Sequence, residues 1–225
     1  MGKNGDTKNM LHLAIDVIIQ IAYVNALWIG FSLAGGVLFG IFPATMALYE
    51  VIRKWETEGF DQGEGTFVTF KKTFRNSFRK ANLIGVVLIG TGGFLGLDLY
   101  IASGIDHAAG FVLTFIFSLL AVLYLLFLLF IFPTAVSFEK PLPGQMKDAM
   151  LIGLASIPYA FLNIAASAAV LLFLLFIMPA AALFFAIPLL ALINMKIGRS
   201  AIQRAERKQE KWGLSKTAWK PVQEN

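Results

Sequence analysis

Asp98, in the run GLDLY, is the ionisable side chain of most chemical interest, because a carboxylate in an apolar run is costly and marks a proton or cation relay when water cannot reach it. Counted along a helix from Asn82 it lies sixteen residues on, about 24 Å at the helical rise. That distance sets it near the headgroups of the far face, where a hydrated rim is the plainer reading. Glu50 has Arg53 and Lys54 one turn away, so an ion pair along the helix is its ordinary use. His12 and His107 fall on predicted opposite sides of the membrane and so are not expected to share a metal ion. The chain has no cysteine, no HExxH, no GxSxG and no phosphate-binding glycine loop, so no cofactor, metal or nucleophile site is expected. Asn25, Ser32, Thr91, Ser118, Tyr124, Tyr159, Asn163 and Asn194 have the polarity to line a pore, but such side chains more often bond neighbouring helices. With Asp98, the residues singled out as intramembrane candidates are Asn25, Pro43 and Asn163.

The sharpest local pattern is TFVTFKKTFRNSFRK, Thr66 to Lys80. Phe67, Phe70, Phe74 and Phe78 recur at helical spacing and form one aromatic stripe, while Lys71, Lys72, Arg75 and Arg79 lie largely away from it. Such a helix suits the membrane interface, with Phe toward acyl chains and the cations toward anionic lipid headgroups. The same geometry also suits docking on a partner subunit. Interleaved aromatics and cations occur in RNA-binding proteins, but these phenylalanines adjoin an apolar span, so no nucleic acid partner is expected.

The elements that must hold these residues follow from where charge is absent. No Asp, Glu, Lys or Arg occurs in the 47 residues between Asp148 and Lys196, which as one helix would measure about 70 Å against a bilayer core of roughly 30 Å. Two spans must share that stretch. Two further windows, Ala108 to Phe138 and Val17 to Tyr49, are also free of charge. The apolar runs are continuous, which excludes the alternation of barrel strands. The fold class is an all-α polytopic transmembrane bundle. Six spans are expected: Leu13 to Leu33, Val37 to Trp55, Asn82 to Ala102, Ala108 to Pro133, Ala149 to Phe173, and Ala180 to Ile197. Tight turns are expected at Gly35-Gly36 and at Met178-Pro179. The alternative is five spans, with a re-entrant piece entering at Phe42-Pro43.

Charge gives the orientation. Segments 1–12, 53–81, 134–148 and 196–225 hold two, seven, two and eight of the nineteen basic residues, and the connections near Gly35, Asp106 and Pro179 hold none. The positive-inside rule then places both termini in the cytoplasm and explains the net charge of +5 without nucleic acid. The expected organisation is a cytoplasmic N-terminus over 1–12, a transmembrane domain over 13–199 whose cytoplasmic loop 56–80 carries the amphipathic helix, and a basic cytoplasmic tail over 200–225.

The runs IAYVNALWIGFSLAGGVLFGIFPATMALYEVIRKW, Ile21 to Trp55, and TFKKTFRNSFRKANLIG, Thr69 to Gly85, resemble the YesL-like membrane proteins, a domain of unknown function. Asn25, Trp28, Gly40-Ile41-Phe42-Pro43-Ala44, Arg53-Lys54-Trp55 and Lys80-Ala81-Asn82-Leu83-Ile84-Gly85 carry the resemblance, which is strongest from Ile21 to about Leu99. It implies a plasma-membrane protein of Gram-positive bacteria, with genes often beside carbohydrate ABC importers and polysaccharide-degrading enzymes. From that association the expected role is a non-enzymatic accessory or scaffold subunit that touches an ABC importer permease. The alternative is an autonomous small-molecule transporter or channel. The family brings no catalytic residue to carry over.

Overall fold

A computed structural model of the chain describes residues 3–59 and 65–211, with side-chain surroundings for 15–59 and 65–207. Outside these residues lie the first two of the expected N-terminal segment, 60–64 of the expected loop, and the expected tail from 212 on. The described residues form seven helices: α1 (Lys3–Ala34), α2 (Ile41–Glu58), α3 (Thr66–Ser103), α4 (Ala108–Ser137), α5 (Leu142–Ala155), α6 (Ile157–Ile177) and α7 (Pro179–Lys211). Five are long and apolar enough to cross a bilayer: α1 over Ile15–Ala34, then α3, α4, α6 and α7 over Pro179–Arg207. The chain is a multi-pass, all-helical membrane protein.

Three elements depart from the expected spans. The first is α2, which is not among the five apolar helices. Its 18 residues include Glu50, Arg53, Lys54, Glu56 and Glu58, yet it is enclosed by α1, α3, α4 and α7. Protein rather than lipid surrounds it, so its sequence need not be apolar all round. The second is the expected interfacial helix, which is no separate element: it is continuous with the third span in one helix of 38 residues. Nothing between Lys80 and Asn82 breaks the helix, since both flanking runs share helical spacing and neither Pro nor Gly intervenes. The third is the expected span Ala149 to Phe173, which breaks at Ser156. Pro158 has no N–H for the carbonyl four residues back, so α5 ends and α6 begins anew with proline in its first turn.

Both expected tight turns are present. Gly36 has φ 78°, a conformation glycine adopts without penalty, and the chain reverses through 35–40 so that Gly40 lies against the backbone of Ser32. Trp28 Nε1 then donates to Thr45 Oγ1 at 3.1 Å, so α1 and α2 pair antiparallel. Pro43 sits in the first turn of α2, where no intrahelical donor is lost. The second turn is at Met178, between α6 and α7.

Cross-helix contacts define two ends of the bundle. At the basic end Lys80 Nζ donates to the Ala135 carbonyl at 3.4 Å, Arg199 pairs with Glu56 at 3.0 Å, and Gly198 lies under Pro133. At the far end are the α3–α4 connection at Gly104 to His107 and the α6–α7 turn. Tyr124 ties α4 to α3 in between, donating to the Leu88 carbonyl at 2.9 Å. A single core runs through Met46, Leu48, Ile52, Phe70, Ile84, Phe130, Ile152 and Met195.

Candidate functional site

The site is the N-terminal third of α3 and what it rests on. Phe70 is fully buried, its ring 5.2 Å from that of Phe31 in α1. Phe74 meets Phe31 edge-on at 5.0 Å and Phe78 at 5.7 Å, while Phe67 stands 6.2 Å from Phe31 and is 45% exposed. The expectation that this stripe faces acyl chains is therefore corrected. Phe70 and Phe74, the middle of the stripe, pack against the protein's own α1 helix, because α1 returns beside α3 and offers Phe31 as an aromatic partner, while Phe67 at the start of the stripe stays 45% exposed. Lys71, Lys72, Arg75 and Arg79 are exposed on the opposite side. The result is a cationic face whose helix is fixed from behind by its aromatic face.

Behind that face stands α2. Phe42 fills the space over Gly85 so closely that a Cβ there would overlap its ring. Tyr49 stacks on Phe132 of α4 at 5.5 Å. Glu50 and Arg53 form the expected pair, at 2.7 Å between Oε1 and Nη2 and 3.0 Å between Oε2 and Nε. Pro43 is buried in the same helix.

The intramembrane candidates do not converge with this face. Asn25 is buried in α1 and donates from Nδ2 to the Leu183 carbonyl of α7 at 3.0 Å. Asn163, fully buried in α6, accepts from Ser167 at 3.3 Å through Oδ1. Both amides thus bond within and between helices, and Asn25 Oδ1 and Asn163 Nδ2 remain without a partner among the described residues. Asp98 is half-buried, five residues before the far end of α3, with Oδ2 buried and unpartnered. It lies far along α3 from the cationic face.

Several structural residues escaped the sequence reading. Gln145, fully buried, donates to the carbonyls of Phe138 at 2.7 Å and Ala135 at 3.3 Å, and so closes the α4–α5 turn. Lys140 pairs with Asp148 across the same turn. Glu56 and Arg199 are 143 positions apart, and no local spacing announces such a pair.

Comparison with known proteins places this arrangement in a family. Over 194 residues the chain is 32% identical to "Uncharacterized protein YesL" of Bacillus subtilis (strain 168), covering 86% of this chain and 90% of that protein. It belongs to the DUF624 family. Residues 21–99 match the family described as "Protein of unknown function, DUF624", the stretch that holds the α1–α2 hairpin and the cationic face. Two further proteins of the same organism are similar: "Uncharacterized protein YteU" at 30% over 210 residues, covering 92% of this chain and 91% of that one, and "Uncharacterized protein YesV" at 33% over 143 residues, covering 64% and 68%. No solved structure matches. The part of this DUF624 chain that the family description covers is thus the part that presents the cationic face.

Proposed function

We propose that this protein is a non-enzymatic accessory subunit of the plasma membrane that docks on a membrane partner through the cationic face of α3. One observation carries the reading: Phe70 and Phe74 of Thr66–Lys80 pack on Phe31 and fix the helix from behind, while Lys71, Lys72, Arg75 and Arg79 are exposed on its other side. A pre-ordered charged surface loses little entropy on docking. The positive-inside rule puts this end, and both termini, in the cytoplasm. The partner is an acidic cytoplasmic surface of a carbohydrate ABC importer permease, a choice that rests on the family resemblance. Anionic lipid is the competing occupant of the same face.

Charge reversal tests the proposal. The Lys71→Glu, Arg75→Glu double variant is expected to release a co-purifying membrane subunit while the protein keeps its folded melting transition. Retention of the subunit, or saturable uptake of oligosaccharide into liposomes that hold the purified protein alone, refutes the accessory role. The second outcome is that of an autonomous transporter or channel, a reading favoured by the buried Asn25 Oδ1, Asn163 Nδ2 and Asn194 Oδ1 atoms of α1, α6 and α7, which have no partner among the described residues.

A further inference from the structure

At the basic end, on the side of the bundle formed by α2 and α7, lies a cleft of about 560 Å³. Its volume falls within the range of small-ligand sites, roughly 300–1,000 Å³. One face of α7 supplies nearly all of its wall: Leu192, Ile193, Lys196, Arg199, Ser200 and Gln203 recur at helical spacing, and Glu56 of α2 closes the other side. Read toward the basic end, that wall passes from aliphatic to cationic and then to hydroxyl and amide. Lys196 is the first formal charge after 47 uncharged residues, so the step in polarity inside the cleft coincides with the step from hydrocarbon to headgroup outside it.

The charges do not cancel. Glu56 is taken by Arg199 at 3.0 Å, while the exposed Lys196 ammonium has no partner among the described residues. One carboxylate faces two cations, which leaves the cleft with an excess positive charge. We infer that the cleft between α2 and α7 holds the headgroup of one anionic phospholipid, with its phosphate at Lys196, the Gln203 amide donating to headgroup oxygens, and the first acyl carbons against Leu192 and Ile193. An ammonium binds phosphate as a point charge and needs no bidentate geometry. A soluble anion would leave Leu192 and Ile193 uncovered, whereas one lipid covers both the apolar floor and the polar rim.

The test is native mass spectrometry of the purified full chain titrated with phosphatidylglycerol and, separately, with phosphatidylcholine. One phosphatidylglycerol per chain is expected to bind more tightly than phosphatidylcholine. Lys196→Gln should weaken phosphatidylglycerol about fivefold, as expected for loss of one basic side chain at a membrane surface, and Ser200→Glu, at an exposed position, should weaken it further. Lys147→Gln, which removes an exposed cation outside the cleft, should change nothing. Equal binding of the two lipids, equal loss in Lys147→Gln, or full retention in both Lys196→Gln and Ser200→Glu overturns the assignment. Displacement of the lipid by soluble glycerol phosphate at equal concentration also overturns it, since the site would then be a phosphate site without use for acyl chains.

Discussion

Replacing Phe70 with alanine separates an internally packed α3 from a helix floating on lipid. Phe70 is fully buried and its ring lies 5.2 Å from Phe31, so truncation removes a complete core side chain. Phe→Ala changes in cores cost about 3–5 kcal/mol, of which about 0.5–1.5 belongs to each favourable aromatic pair. Alanine is the better helix former, so the loss is one of packing and not of helix propensity. At the lower bound, local opening of Thr66–Lys80 becomes roughly a hundredfold more frequent. Hydrogen exchange of its amides, followed by mass spectrometry in nanodiscs, reads that change directly. Phe67 is 45% exposed, so Phe67→Ala should cost about 1 kcal/mol, half the value of full burial. In the Phe31→Ala, Phe70→Ala double variant the costs should fall short of additivity by about 0.5–1.5 kcal/mol. Equal exchange in Phe67→Ala and Phe70→Ala refutes the reasoning, because a stripe facing acyl chains would use both rings alike.

Two further outcomes are expected. Gly85→Leu should unseat Phe42 and abolish a cooperative melting transition in detergent, whereas Gly90→Leu, where no atom lies within 4 Å of the added Cβ, should be tolerated with a melting point within a few degrees. In intact cells, a cysteine at Asp106 should react with an impermeant thiol reagent from outside and one at Ser77 should not. A cysteine at Leu38 should also stay unreactive, since Val37, Leu38 and Phe39 are 51%, 66% and 62% exposed and such an apolar tip suits lipid; labelling there would mean that α1 and α2 both cross fully.

The apolar windows were legible because lipid makes the same demand at every exposed position of a span. That is why α4, α6 and α7 could be located from the absence of charge alone, and why the turns at Gly36 and Met178 stood out between them. The aromatic stripe of α3 was legible as a face, but its cover was not: Phe31 belongs to a helix 36 residues earlier than Phe67, and spacing within one helix does not say what packs on it. The break at Ser156 was hidden for a different reason. A proline such as Pro158 is tolerated inside many membrane helices, so its presence does not tell a kink from an end. The Glu50–Arg53 pair needed only one turn of helix and was read correctly. The Glu56–Arg199 pair needed the whole fold.

The helix with the weakest claim to be a span is the one that organises the others. Hydropathy measures what faces lipid, and α2 faces protein on four sides, so charge could accumulate on it wherever a partner existed. Its upper half is held by shape, with Phe42 on Gly85 and Trp28 donating to Thr45. Its lower half carries the Glu50–Arg53 pair along the helix and is tied to α7 by Glu56 with Arg199. Trp55 and Ile52 share one core cluster with Phe70 behind the cationic face, and Glu56, the next residue, closes the cleft on α7. The same helical turn of α2 therefore supports both surfaces.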